Sequence, residues 1–210
     1  FSVIIFTLPI PSFKESDTIL GNDPYSFSKS CSDLIGQNLD KNLKTMKIST
    51  IRSGNIIGGG DWSNFRLIPD YYKAYINNKT LLIRNPNYVR PWQHIITPIY
   101  VIEQIIKKNN VNMFDTFNIG PNKINLSVKK IIAKLNDINE NKVKIKYLYK
   151  KEKKEAKSLK LDSSKFKKVF IYPKVNTNSD LKILNDWYKK SLHSNNMLSF
   201  SIEQIRQYLK

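Results

Sequence analysis

Cysteine, histidine, arginine and glycine are all scarce in this chain of 210 residues. The single cysteine, Cys31, excludes an internal disulfide framework and suits a reducing compartment, so the cytoplasm is the expected location. The two histidines, His94 and His193, stand at no metal-ligand spacing and have no cysteine partner, so metal catalysis has no support. No apolar run reaches the ~18–20 residues of a membrane span. The apolar opening FSVIIFTLPIP lacks a basic leader and a small-residue cleavage site, and reads as a buried strand rather than a signal peptide. Acids are short as well: 17 against 35 basic residues, a net charge of +18. Such an excess invites a nucleic-acid reading. Only five of the bases are arginine, however, and the lysines are dispersed with Asn and Ile along the whole chain. The densest run, YKKEKKEAKSLK (149–160), alternates with acids and reads as an exposed helix or loop. Neither a specific nucleic-acid partner nor a membrane is expected.

What is present is an ordinary globular composition, 40% hydrophobic and 25% charged, long enough to bury a core. The pattern alternates. Residues 3–7 read as a strand and 11–24 as a loop. Tyr25, Cys31, Leu34, Ile35 and Leu39 recur at helical spacing over 24–40, behind an Asp23–Pro24 start signal. A β-rich run over 46–54 leads into the glycine loop NIIGGGDW. A helix over 65–77, a strand over 80–86, a helix starting near Pro98 and a strand over 115–120 follow. A helix over 126–137 with Ser127 as N-cap, a strand in KVKIKYL, and helices over 179–190 and 201–209 complete the chain. Strands alternating with helices predict an α/β fold with a largely parallel sheet, whose ligands sit at the carboxyl ends of strands.

Tyr25 and Lys29 lie four apart, one helical turn, on the same face. An ammonium beside a phenol favours a tyrosinate base, although such a pair on a surface helix is more often a solvated face. GGGDW (58–62) is neither Gly-x-Gly-x-x-Gly nor a Walker sequence; it is either a flexible turn or a backbone that approaches a ligand closely. Arg66, Arg84 and Arg90 fall close together in a chain that otherwise uses lysine, which points to sites needing a planar fork for phosphate or carboxylate, or to structural ion pairs.

Six stretches then occur in order: DPYSFSKSCSDLI, IRSGNIIGGGDWSNFRLIPD, LLIRNPNYVRPWQHI, FNIGPN, EAKSLKLDSSK and MLSFSIEQIRQYL. Together they closely resemble the CDP-glucose 4,6-dehydratases, nucleotide-sugar enzymes of the extended short-chain dehydrogenase/reductase family, from about Glu15 onward. The resemblance implies an incomplete Rossmann-type doubly wound parallel sheet with a smaller C-terminal α/β substrate domain. Residues 1–60 would belong to the NAD-binding domain and 61–210 mainly to the nucleotide-sugar domain, with 91–120 returning to the first. It implies NAD as a bound cofactor, a CDP-sugar substrate and a homo-oligomer for the full-length family. Tyr25 and Lys29 would be catalytic and would hold NAD together with Ile56. Asn55, Arg66, Leu67, Leu81, Leu82, Ile83, Arg90 and Asn122 would hold the nucleotide sugar, Arg90 as the phosphate fork.

Two departures bear on activity. The family's glycine-rich βα turn and its ribose-reading acid have no counterpart in these 210 residues. Where the family has Thr/Ser-Asp-Lys ahead of the tyrosine helix, this chain has Thr7, Leu8 and Pro9; leucine and proline side chains cannot act as acid or base. The expectation is an N-terminally truncated member that does not turn over by itself. The alternatives are a non-catalytic remnant, a nucleotide-sugar-binding or dimerising partner and, weaker, a basic nucleic-acid-binding protein.

Overall fold

The computed structural model describes residues 12–18, 21, 23–42, 48–108, 116–121, 125–148, 156–172, 177–194 and 196–209; the strand expected at 3–7 lies outside them. Helix α1 (Pro24–Asn42) starts at the expected signal, with Asp23 Oδ1 accepting from the backbone N–H of Tyr25 at 3.0 Å and of Ser26 at 3.1 Å. This satisfies donors that a helix start otherwise leaves without partners. Strands β1 (Thr50–Ser53) and β2 (Asn55–Ile57) follow, then α2 (Leu67–Ile76), β3 (Leu81–Arg84), β4 (Val89–Arg90), β5 (Trp92–His94), α3 (Ile96–Lys107) and β6 (Thr116–Ile119). Next come β7 (Leu126–Ser127), α4 (Val128–Ile138), β8 (Ile145–Leu148), α5 (Ser164–Lys167), α6 (Thr177–Ser191) and α7 (Leu198–Tyr208).

The α/β expectation is met. β1 pairs with β6, β2 with β5 and β3 with β8, each parallel, while β4 and β7 pair antiparallel. All four residues of β6 are buried, as expected of a strand covered on both faces. β3 instead alternates, with Leu81 and Ile83 inward and Leu82 and Arg84 outward. One apolar core gathers Ile68, Tyr71 and Tyr72 of α2, Ile131 and Leu135 of α4, and Leu181 and Leu184 of α6 over Leu81, Ile83 and Trp92. Another forms where Val101 of α3 meets Phe117 and Ile119 of β6 and the Phe166–Phe170 pair. No helix among the described residues is long and apolar enough to cross a membrane.

Local readings differ from expectation in four places. Short elements β2, β4, β5, β7 and α5 are too brief for hydrophobic periodicity to reveal. Ser127 stands at the N-cap of α4, but its hydroxyl makes no capping bond; the backbone N–H groups of Val128 and Lys129 donate to Tyr88 and Pro86 carbonyls at 3.0 and 2.9 Å. Of the run at 149–160, residues 149–155 lie outside the described residues. The remainder is a loop, one of the two expected readings, but not a wholly exposed one: Leu159 is buried and its N–H donates to the Val89 carbonyl. Finally, the apolar stripe of α1 faces outward. Tyr25, Leu34, Ile35 and Leu39 are exposed, while Ser26, Ser30 and Asp33 face the interior.

The C-terminal helix is tied in by polar contacts. The Tyr208 hydroxyl lies 2.7 Å from Thr97 Oγ1 and donates to Asp180 Oδ1 at 3.0 Å. Burial pushes the Asp180 carboxyl up to about 6, against the opposing pull of the Tyr208 hydrogen bond. Burial likewise pushes the neighbouring His94 imidazole down to about 4, and its Nδ1 accepts from the Ile96 N–H at 3.4 Å, as a neutral ring can.

Candidate functional site

Two cavities meet in a waist. The larger, of about 880 Å³, extends from Asn55 along α2 and β3 to Lys79, Arg84, Tyr88 and Arg90. The smaller, of about 640 Å³, runs from Asn55 past Ile56, Gly58 and Arg66 to Tyr25. Asn55, Phe65, Leu67 and Trp92 line both. The site runs along β2 and β3 and reaches the start of α2 at Leu67.

Local chemistry holds each wall in place. The Asp23 cap fixes the first turn of α1, so Tyr25, half exposed, faces the smaller cavity, and Lys29 Nζ stands 5.6 Å from the centre of its ring. The backbone N–H of Asn55 donates to the Pro91 carbonyl at 2.9 Å, fixing the start of β2 against the start of β5. Trp92 is buried and its indole N–H donates to the Leu126 carbonyl at 2.9 Å, a rigid wall. Arg90 is buried, with Nη1 donating to the carbonyls of Val89 at 2.8 Å and Ala156 at 2.9 Å, and its guanidinium lies 5.2 Å from the Tyr88 ring centre.

The turn between β2 and α2 is pinned at several points. Tyr188 donates its hydroxyl to the Asp61 carbonyl at 2.5 Å, and Lys73 Nζ donates to Asn64 Oδ1 at 2.6 Å. Arg66 Nη1 pairs with Asp61 Oδ2 at 3.3 Å. Burial pushes the Asp61 carboxyl up, but hydrogen bonds from Ser63 and the Arg66 charge outweigh it and hold it below the ordinary carboxylate range. The glycines here serve packing. A Cβ on Gly59 would stand 2.2 Å from the Trp187 indole, so the backbone approaches a side chain of the protein itself.

The structure therefore brings together Tyr25, Asn55, Ile56, Arg66 and Leu67 in the smaller cavity, and Asn55, Leu67, Leu81, Leu82, Ile83 and Arg90 in the larger. Lys29 stands beside Tyr25 but is not among the lining residues. Asn122 lies outside the described residues. Sequence reasoning missed Phe65, Tyr88, Lys79 and Trp92 as wall residues. The clustering of Lys73, Lys79, Arg84 and Arg90 around the larger cavity, against Asp70 alone, makes that end suited to an anion.

For NAD the fit is one-sided. Tyr25, Lys29 and Ile56 offer a phenol, an ammonium and strand backbone where a nicotinamide ribose could be held. None of the seven glycines in these 210 residues stands in the spacing that seats a pyrophosphate.

No protein-family model matches the sequence. The chain is 29% identical over 210 residues to the CDP-glucose 4,6-dehydratase of Salmonella typhimurium, an alignment covering 94% of this chain and 58% of that protein. In structure it is similar to dTDP-glucose 4,6-dehydratase from Bacillus anthracis in complex with NAD, with a TM-score of 0.76 and 22% identity over 90% of this chain and 59% of the other. It is also similar to UDP-glucuronic acid 4-epimerase from Bacillus cereus in complex with UDP-glucuronic acid and NAD, with a TM-score of 0.77 and 19% identity over 90% of this chain and 60% of the other. The chain thus spans less than two thirds of the length of the relatives it matches. Its sequence resembles a CDP-glucose 4,6-dehydratase across nearly all of its own length, and its fold is the one that nucleotide-sugar dehydratases and epimerases share.

Proposed function

We propose that the chain binds a CDP-hexose and carries the nucleotide-sugar site and the tyrosine–lysine pair of an NAD-dependent CDP-glucose 4,6-dehydratase. The observation that carries this reading is the waist. A nucleotide sugar is an elongated ligand with a neutral ring at one end and a diphosphate further along. Two joined cavities, one ending at Tyr25 and one ringed by lysine and arginine, match that order. The Tyr25 oxygen would take the proton from the sugar's C4 hydroxyl, and Lys29 would hold the nicotinamide ribose. Asn55 would bind the sugar edge. Arg66, the first backbone N–H groups of α2 at Leu67, and Arg90 would hold the diphosphate by charge-assisted hydrogen bonds. Leu82, an outward residue of β3, would lie along the nucleotide. The chemistry NAD supplies when bound is acceptance of a hydride from C4 and its return to C6.

Loss of water across C5–C6 needs an acid and a base that Leu8 and Pro9 cannot provide. The second reading, binding without turnover, rests on that substitution. Calorimetry with CDP-glucose, CDP and NAD, together with an assay for the 4-keto product, tests both readings. The expected result is tighter binding of CDP-glucose than of NAD and no product. Binding of neither cytidine ligand would overturn the site, and clear turnover would overturn the binding-only reading.

A further inference from the structure

Phe65 is the least explained residue at the site. Its backbone φ is 62°, a left-handed conformation that a bulky side chain rarely adopts, and its ring is 88% exposed. Strain of this kind persists only where neighbouring contacts over-determine the backbone. The loop around it is tied at three points: Asp61 and Arg66 pair across it, Lys73 donates to Asn64 next to it, and the Tyr188 hydroxyl donates to the Asp61 carbonyl. The chain thus spends conformational strain to keep an aromatic ring in water, at the one place where the two cavities join.

We propose that Phe65 sets specificity by covering the C–H face of the hexose ring, which makes it the residue that distinguishes a nucleotide sugar from the bare nucleotide. This rests on the CDP-hexose reading above. The residues shared by both cavities are three apolar side chains, Phe65, Leu67 and Trp92, and one amide, Asn55. A sugar ring has that chemistry, with flat C–H faces and a rim of hydroxyls. A diphosphate does not; the cationic side chains that suit it stand away from this apolar waist, Lys79, Arg84 and Arg90 in the larger cavity and Arg66 in the smaller. Trp92 is buried and hydrogen-bonded, a fixed wall, whereas Phe65 has nearly its whole ring left to cover.

The test titrates the full chain and its Phe65→Ala, Phe65→Gly and Phe65→Tyr variants with CDP-glucose and with CDP. The Ala and Gly variants should lose about three- to tenfold in affinity for CDP-glucose while CDP changes less than about twofold, and Tyr should retain the wild-type preference. Glycine relieves the left-handed strain, so Phe65→Gly should melt at or above the wild-type temperature, which a ring that merely supports the fold would not permit. Equal losses for both ligands would mean that the ring stacks on the base. That result, unchanged affinities, or a markedly lower Tm for Phe65→Gly would each overturn the assignment while leaving the CDP-hexose site standing. Failure of the wild-type chain to bind either ligand would overturn the site, and Phe65's role with it.

Discussion

Arg52 on β1 and Asp33 on α1 form a buried ion pair, Nε to Oδ2 at 2.7 Å and Nη2 to Oδ1 at 3.2 Å, with side chains 2% and 0% exposed. Gln37 also donates to Asp33, and Arg52 Nη1 donates to the Glu15 carbonyl at 3.0 Å. The helix that presents Tyr25 is therefore anchored to its strand by charge, while its apolar stripe faces away. Removing one partner leaves the other charge buried and alone. Asp33→Ala or Arg52→Ala should cost about 3–5 kcal/mol in urea unfolding, whereas an apolar pair of similar volume at both positions should cost far less. Equal costs for the single and double replacements would show that the pair is not what anchors α1.

Gly59→Ala should destabilise the fold by about 1–3 kcal/mol. Its new Cβ would fall 2.2 Å from Trp187, whose indole N–H is held by Ser201 Oγ at 2.9 Å and cannot swing away freely. At Gly60 the obstacle is conformational instead, since φ is +84° and a Cβ would find Trp187 only at 3.6 Å. Gly60→Ala should cost about 1–2 kcal/mol without disturbing Trp187 fluorescence, whereas Gly59→Ala should shift it.

Asp180 and His94 should act oppositely on stability as pH changes. The Asp180 carboxyl is raised from 3.8 to about 6, so the folded state binds its proton more readily. Its contribution is present below pH 4 and lost as pH rises through 6. His94 is lowered from 6.5 to about 4, so its contribution is present above 6.5 and lost as pH falls through 4. In Asp180→Asn only the histidine effect remains, and stability should rise with pH between 4 and 6.5 more steeply than in the wild type. Thermal melts across that range read the slope directly; parallel curves for the two proteins would remove Asp180 as a buried titrating group.

Arg90→Ala should weaken CDP-glucose binding by about 1.5–3 kcal/mol if the guanidinium holds the diphosphate. Arg90→Lys keeps the charge but not the fork, and should recover part of that loss. Because Nη1 also holds the Val89 and Ala156 carbonyls, the variants need a melting curve alongside the titration. Unchanged affinity in a folded Arg90→Ala protein would restrict this arginine to bracing the loop at 156.

The long periodic elements were legible in the residues themselves. The 24–40 spacing and its Asp-Pro start gave α1, and the strand–helix alternation gave parallel pairing, because helical and extended periods are local properties of the chain. The ordered motifs carried the resemblance by which Asn55, Arg66, Leu67 and Arg90 were expected at the ligand, and the structure sets them on the walls of two cavities that share Asn55 and Leu67. What the tertiary structure decided was direction and company. No local rule tells that α1 turns Ser26, Ser30 and Asp33 inward, since that choice depends on Arg52 arriving from β1, 19 positions away. Nor does a local rule put Phe65 in a left-handed turn at the waist of two cavities. The loop that carries it is held by the Tyr188 hydroxyl on the Asp61 carbonyl, a contact that exists only once α6 has packed.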